Sequence, residues 1–68
     1  MKIFATRLKE LRLENKYTQN QIAEKLNVKQ QSYIRYEYGT GQPSLETLVA
    51  LAKIYNVSVD YLLGLSEY

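Results

Sequence analysis

Apolar residues return at helical intervals through almost the whole chain, and the breaks in that pattern mark where helices stop. Phe4, Leu8 and Leu11 fall within about 60° of one another on a helical wheel, so the first segment predicts a helix with one face toward a core. Arg7, Lys9, Glu10 and Glu14 read as its solvated side. In Tyr17-Thr18-Gln19-Asn20-Gln21, Gln21 stands three residues after Thr18. That is capping-box spacing, in which a hydroxyl and a side-chain amide satisfy two otherwise orphaned backbone amides. A second helix of about two turns starts there, with Ile22, Ala23 and Leu26 as its buried side. Asn27 follows where a left-handed residue closes a helix, a conformation Asn tolerates better than most residues. The device returns later: Asn27-Val28-Lys29 matches Asn56-Val57-Ser58, each an Asn stop, an apolar plug and the start of another helix.

All the Gly and Pro residues except Gly64 lie in Gly39-Thr40-Gly41-Gln42-Pro43, which gives the middle of the chain one evident loop. Beyond it Ser44 caps a fourth helix in which Leu45, Leu48, Val49, Leu51, Ala52 and Tyr55 cover an arc of about 160°, the pattern of a helix deep in a bundle. A fifth helix begins at the Ser58 cap, carries Val59, Leu62 and Leu63, and stops at Gly64. No segment alternates as a strand, and no repeat suggests a solenoid. The prediction is a compact all-α domain of five short helices over residues 1–68.

Composition narrows the chemistry. With 68 residues there is room for one core. With 46% hydrophobic and 24% charged residues the chain should fold. Neither Cys nor His is present, which removes disulfides, thiol nucleophiles, imidazole bases and the commonest metal ligands. No metal or cofactor is expected. An enzyme would need a convergent carboxylate or Lys constellation, and the seven acids are spread along the chain. The N-terminus, Met1 to Arg7, meets charge too early for a signal peptide, and no apolar run approaches a membrane span. The expectation is a cytoplasmic protein with no membrane partner. Residues 1–42 hold eight basic and four acidic side chains, for +4, whereas residues 43–68 hold one and three, for −2. The basic surface therefore belongs to the first two thirds, compatible with an anionic partner or with a merely solvated surface.

The third helix, about residues 29–38, carries the most information. With Gln30 at zero on the wheel, Ile34, Tyr38, Gln31 and Arg35 follow within about 140° and make one face, while Ser32, Tyr36, Tyr33 and Glu37 lie on the other side. Gln can pair with adenine N6 and N7, and Arg with guanine N7 and O6, so this face has the groups that read major-groove edges. Taken alone it is equally an ordinary polar helix face. Seven Tyr also raise the idea of a single-strand stacking platform. Against that, Tyr17, Tyr33, Tyr36 and Tyr55 point inward, and only Tyr38, Tyr61 and Tyr68 are expected to be exposed.

What decides between these readings is order: a capped short helix, a tight Asn27-Val28 turn, then the Gln-bearing helix, as in a helix-turn-helix. Here the sequence resembles the XRE family of phage-repressor and Cro-like transcriptional regulators, over about Phe4 to Leu65. The residues carrying the likeness are Arg7-Leu8, Leu11-Arg12, Thr18-Gln19, Ile22-Ala23 with Leu26, Val28, Gln30-Gln31-Ser32, Tyr36-Glu37 with Gly39, Pro43, Leu48, Leu51-Ala52, Val57 and Leu62-Leu63-Gly64. The resemblance implies a lambda-repressor-like fold of bacterial or phage origin, with its helix-turn-helix at about residues 18–38. The helices at about 44–64 would complete the core and a dimer surface.

It further implies that Gln30, Gln31, Ser32, Arg35 and Ile34 contact bases. Thr18, Gln19, Lys29, Arg12, Tyr38, Thr40 and Gln42 would contact phosphate. Gln19 would be helped by the end of its helix, and its alternative is a plain surface Gln. Lys29 replaces the family's Ser or Thr cap and cannot accept from a helix amide. Arg12 and Glu37 resemble the family's ion pair between the first and third helices, whose role is structural, functional or both. The loop lacks the family's Lys and Arg, which predicts a weak salt slope, though backbone amides of residues 39–42 remain available to phosphate. Ile34 replaces a small polar residue and meets either a thymine methyl or a protein partner.

Leu45, Val59, Tyr61 and Leu62, with Ile54 beside them, would form a homodimer surface unless they belong to a self-contained core. The implied function is a repressor that binds a palindromic double-stranded DNA operator as a homodimer. The alternative is an antitoxin-like or anti-regulator module whose partner is an unknown protein. The residues after Leu65 are too few for a sensor domain, so no inducer site is expected on this chain.

Overall fold

Five helices follow one another in the computed structural model, which describes residues 2–67: α1 (Lys2–Glu14), α2 (Gln19–Leu26), α3 (Gln30–Tyr38), α4 (Leu45–Tyr55) and α5 (Val59–Leu63). The expectation for Tyr68 lies outside the described residues, and no strand occurs within them.

All five helices stop in the same way. Lys16, Asn27, Gly39, Asn56 and Gly64 take the left-handed conformation. In each case the next residue's amide donates back over the turn: Tyr17 to Arg12 O, Val28 to Ala23 O, Thr40 to Arg35 O, Val57 to Ala52 O and Leu65 to Asp60 O, at 2.8–3.1 Å. This is the Schellman closure, which satisfies carbonyls that a helix end otherwise leaves bare. The starts are closed by hydroxyls at Thr18, Ser44 and Ser58, which accept from the amides of Gln21, Thr47 and Tyr61. Both halves of the capping box at Thr18 form. Such short helices gain little from propagation, so these closures and the core hold them.

That core joins Phe4, Leu8 and Leu11 of α1 to Ile22, Ala23 and Leu26 of α2, Tyr33 and Tyr36 of α3, Leu48, Leu51 and Tyr55 of α4, and Leu62 of α5. Leu8, Ile22, Leu51 and Leu62 have no exposed surface, each worth about 1.5–3 kcal/mol of burial. The stripes read from periodicity on α1 and α2 are therefore the stripes the fold buries.

Helix α4 departs from its expected depth. Leu48, Leu51 and Tyr55 are buried, but Leu45 is 81% and Val49 44% exposed. α4 packs mainly on α2 and α5, which leaves Leu45 and Val49 uncovered among the described residues. Leu62 corrects the expectation in the other direction. Expected on a subunit surface, it is wholly enclosed, because α5 turns it into the core. Ile54, expected beside that subunit surface, is partly buried against the core. Thr47 is buried through a hydroxyl contact with Ser44, 3.1 Å, which no hydrophobic pattern would reveal.

Two surface expectations also change. Arg7 is no solvated decoration. Its guanidinium donates to the carbonyl of Tyr61 and, at 2.8 Å, to that of Ser66, and it lies 4.2 Å from the centre of the Tyr61 ring. Tyr61 is half-buried as a result. Tyr17, expected inside, is also half-buried, with its ring 6.2 Å from Tyr55 and Lys25 above it. No described helix is long and apolar enough to cross a membrane.

Candidate nucleic-acid interface

The unit of interest is α2, the turn after it, and α3. Asn27 in the left-handed region reverses the chain, and Val28 is half-buried beneath the turn and packs on the core. α3 is anchored from behind by Tyr33 and Tyr36, whose rings meet edge-on at 6.1 Å. Its opposite face carries Gln30, Gln31, Arg35 and Tyr38 exposed, with Ile34 half-buried among them. Tyr38 is 78% exposed. Ser32 stands apart from that face and is half-buried. The structure thus brings the two glutamines, Ile34, Arg35 and Tyr38 together, and leaves Ser32 on the flank.

Lys29 occupies the cap position of α3, exposed and with no side-chain bond to the helix amides. The start of α3 is the one among α2 to α5 that no hydroxyl closes. A helix start presents amide donors and partial positive charge, and here a lysine stands beside them.

Behind this face lies a buried polar cluster. Glu37 accepts from Arg12 Nε at 2.6 Å and Arg12 Nη2 at 3.2 Å, from the Tyr33 hydroxyl at 2.5 Å and from Gln19 Nε2 at 3.4 Å. Arg12 Nη1 donates to the Tyr17 carbonyl at 3.1 Å. The Arg12 and Glu37 side chains are only 11% and 4% exposed. Burial works to raise the pKa of Glu37, but the bonds from Arg12, Tyr33 and Gln19 outweigh it and hold the carboxyl below its usual range. The bond to Glu37 raises the Arg12 pKa against burial. Burial, then the bond to Glu37, pushes the Tyr33 hydroxyl far up, so it stays a neutral donor. All three guanidinium nitrogens of Arg12 are engaged, which leaves this residue little reach toward phosphate. Gln19 sits at the start of α2 with one amide proton on Glu37, so the cluster sets the orientation of its side chain.

Thr18, Thr40 and Gln42 are exposed at the ends of the unit. The amides of residues 39–41 correct part of an expectation. Those of Gly39, Thr40 and Gly41 all converge on the Arg35 carbonyl, so they are spent within the protein rather than open to phosphate. The roles of Tyr33 and Gln19 in the cluster escaped the sequence reading. Tyr33 and Glu37 stand four apart on one helix, a spacing at which side chains meet, and that was the available signal for Tyr33. Among the described residues no group of acids could hold a metal ion.

Against this geometry, a helix-turn-helix family model matches residues 8–62. The chain is 45% identical over 65 residues to the uncharacterized HTH-type transcriptional regulator YobD of Bacillus subtilis (strain 168), covering 96% of this chain and 58% of that protein. It is 48% identical over 61 residues to the HTH-type transcriptional regulator ImmR of the same organism, covering 90% of this chain and 48% of that protein. It is 37% identical over 65 residues to the cryptic phage CTXphi transcriptional repressor RstR of Vibrio cholerae, covering 96% and 59%. The chain thus spans about half of the length of these curated relatives.

Proposed function

The chain belongs to the XRE-type helix-turn-helix family, and from that premise we propose that it binds a specific sequence of duplex DNA and regulates transcription there, as a repressor. The observation that carries the reading is the outward face of α3, where Gln30, Gln31 and Arg35 stand exposed over a helix fixed by buried tyrosines. Two amides and a guanidinium on one such face match the donor and acceptor code of the major groove. Each well-formed bidentate contact discriminates by about 1–3 kcal/mol. Ile34 lies among these groups and offers a thymine methyl an apolar contact.

Around that face, Lys29 and the start of α3 are suited to one phosphate, and Gln19 with Thr18 at the start of α2 to another. Tyr38, Thr40 and Gln42 offer side-chain donors at the far end. With Arg12 engaged by Glu37, few free cations remain on this face, so salt dependence is shallow for a protein of this kind. One such domain grips little DNA. We place a second copy across an axis that sets the two α3 helices in successive major grooves, about 34 Å apart. Leu45 and Val49, the open part of the α4 arc, together with Val59 and Tyr61 of α5, are its candidate surface. The relative named as a phage repressor supports the direction of regulation, and the place of action is the cytoplasm.

Selection from a randomised duplex pool at near-physiological salt tests this reading, with the wild type beside a Gln30→Ala, Gln31→Ala double variant. The expected result is a palindrome with half-sites one turn apart, lost in the variant. A folded protein that enriches nothing would overturn the reading. It would favour a protein partner instead, to which the scarce cations and exposed Tyr38 also lend themselves.

A further inference from the structure

We infer that Gly41 is a positioning residue for Arg35: its bare backbone closes one side of the arginine stem and so sets which base pair the guanidinium reads. The inference rests on the reading of α3 as the base-contacting helix. Gly39 and Gly41 stand two residues apart in one loop but serve different needs. Gly39 has φ 80° and supplies the left-handed closure of α3. Gly41 does not take a positive φ, so an L residue would be accepted there conformationally. What excludes a side chain at Gly41 is space. A β-carbon on it would stand 2.9 Å from Arg35 Cβ, and 3.5 Å from both the Arg35 carbonyl carbon and Tyr36 Cδ1.

The contact is with the root of the arginine, not its mobile end, so it cannot be relieved by swinging the side chain away. The loop is drawn into that position by hydrogen bonds. Beyond the two amides of the Schellman closure, the Gly41 amide also donates to the Arg35 carbonyl at 3.1 Å. Residue 41 is therefore pinned over residue 35 by the same carbonyl that ends the helix.

This matters because no ion pair among the described residues aims Arg35, and it is exposed. A free arginine has many rotamers to lose on binding, whereas a planar fork whose stem is already confined loses fewer. A helix also disfavours one of the three staggered χ1 wells on its own. The loop backbone beside Cβ narrows the remainder.

The test is parallel selection from one randomised duplex pool with four full-length proteins: wild type, Gly41→Ala, Arg35→Ala and the double variant. Arg35→Ala is expected to lose preference at one position in each half-site. Gly41→Ala should weaken preference at that same position, roughly tenfold, within the range of a single bidentate contact, and leave the Gln30 and Gln31 positions as they were. In the Arg35→Ala background it should change nothing further. A Gly41→Ala profile identical to wild type would overturn the inference, as would a uniform loss at every position that persists without Arg35. Should Arg35→Ala itself keep the wild-type profile, the base-reading role of Arg35 fails, and the inference falls with it. A measurement on the free wild type guards against a misfolded variant. Three-bond couplings should report one dominant χ1 rotamer for Arg35, and averaging among rotamers would overturn the inference.

Discussion

Helices α3 and α5 follow turns of the same make. Asn27 and Asn56 sit at φ 57° and 54°, and Val28 and Val57 donate back to Ala23 and Ala52 at 3.1 and 3.0 Å. Each helix ends on a left-handed glycine, Gly39 or Gly64, and each is tied to α1 by an arginine. They differ at two points. Ser58 caps α5 by accepting from the Tyr61 amide at 2.9 Å, whereas Lys29 gives α3 no side-chain cap. Arg7 holds the α5 end through carbonyls and an aromatic face, whereas Arg12 holds α3 through a buried carboxylate. The helix whose start is left open is thus the one locked behind by an ion pair. Rigidity at α3 comes from its inner face, which frees its start and outer face for a partner.

The largest expected effect separates the two arginines. Arg12→Ala leaves Glu37 buried without its counter-charge and should lower unfolding free energy by about 3 kcal/mol, as breaking a buried pair does. Arg7→Ala loses bonds to carbonyls that keep other partners or meet water, and should lose only about 1–2 kcal/mol. Urea titrations at pH 7 measure both, and an equal loss would dissolve the contrast. Acid sharpens it. The carboxyl of Glu37 lies below its usual range in the folded protein. The stabilisation from the pair is therefore full above the unfolded carboxylate value of about 4.3, and is lost as pH falls through the depressed folded value. The stability gap between wild type and Arg12→Ala should narrow over that interval, while the gap to Arg7→Ala stays flat. Parallel curves for all three proteins would remove Glu37 as the source.

Next in size are the shared turns. Asn27→Ala and Asn56→Ala each force alanine into the left-handed region, at about 1–2 kcal/mol. The corresponding glycine variants should stay near wild type. Equal losses in thermal or urea unfolding would show that the two turns are one device. A much larger loss at Asn27 would mean that this turn bears more of the fold than its twin.

These turns were legible because an Asn stop and an apolar plug are local signals, written twice in one chain. The helix stripes and the caps at Thr18, Ser44 and Ser58 were legible for the same reason, whereas the missing cap at Lys29 came from resemblance. The Arg12 and Glu37 pair came from resemblance, since no local rule joins residues 25 apart. Arg7 was misread as solvent-facing because its partners are backbone carbonyls, which carry no side-chain signature. Leu62, placed on a subunit surface, turned out to be core, and the deep arc expected for α4 left Leu45 and Val49 exposed, for a related reason. Periodicity tells which residues share a face, but whether a neighbour covers that face depends on how α4 and α5 pack. On α3 the wheel already separated Gln30, Gln31 and Arg35 from Tyr33 and Tyr36, whereas the Gly41 contact with Arg35 required the loop's path.

The smallest expected effects test the open start itself. Ser58→Ala should cost about 1 kcal/mol by removing a hydroxyl cap. Lys29→Ser makes the converse change, giving α3 a hydroxyl able to accept from the Ser32 amide, and should stabilise the fold by up to about 1 kcal/mol. If the open start is kept for a phosphate, that gain comes with weaker binding to the selected duplex. The dependence of log affinity on log salt would then become shallower by about one. Fluorescence anisotropy at several salt concentrations, beside the unfolding curves, reads both quantities on the same variant. A gain in stability with unchanged binding would mean that the lysine charge does no work on DNA, and that the bare start of α3 is only a weaker copy of the start of α5. Loss of binding with the slope unchanged would instead place the effect on the helix amides, now occupied by the serine, and not on the charge. The difference between the two helix starts acquires a function if the gain in stability comes with weaker binding, and the salt slope then tells whether the charge or the amides carry it.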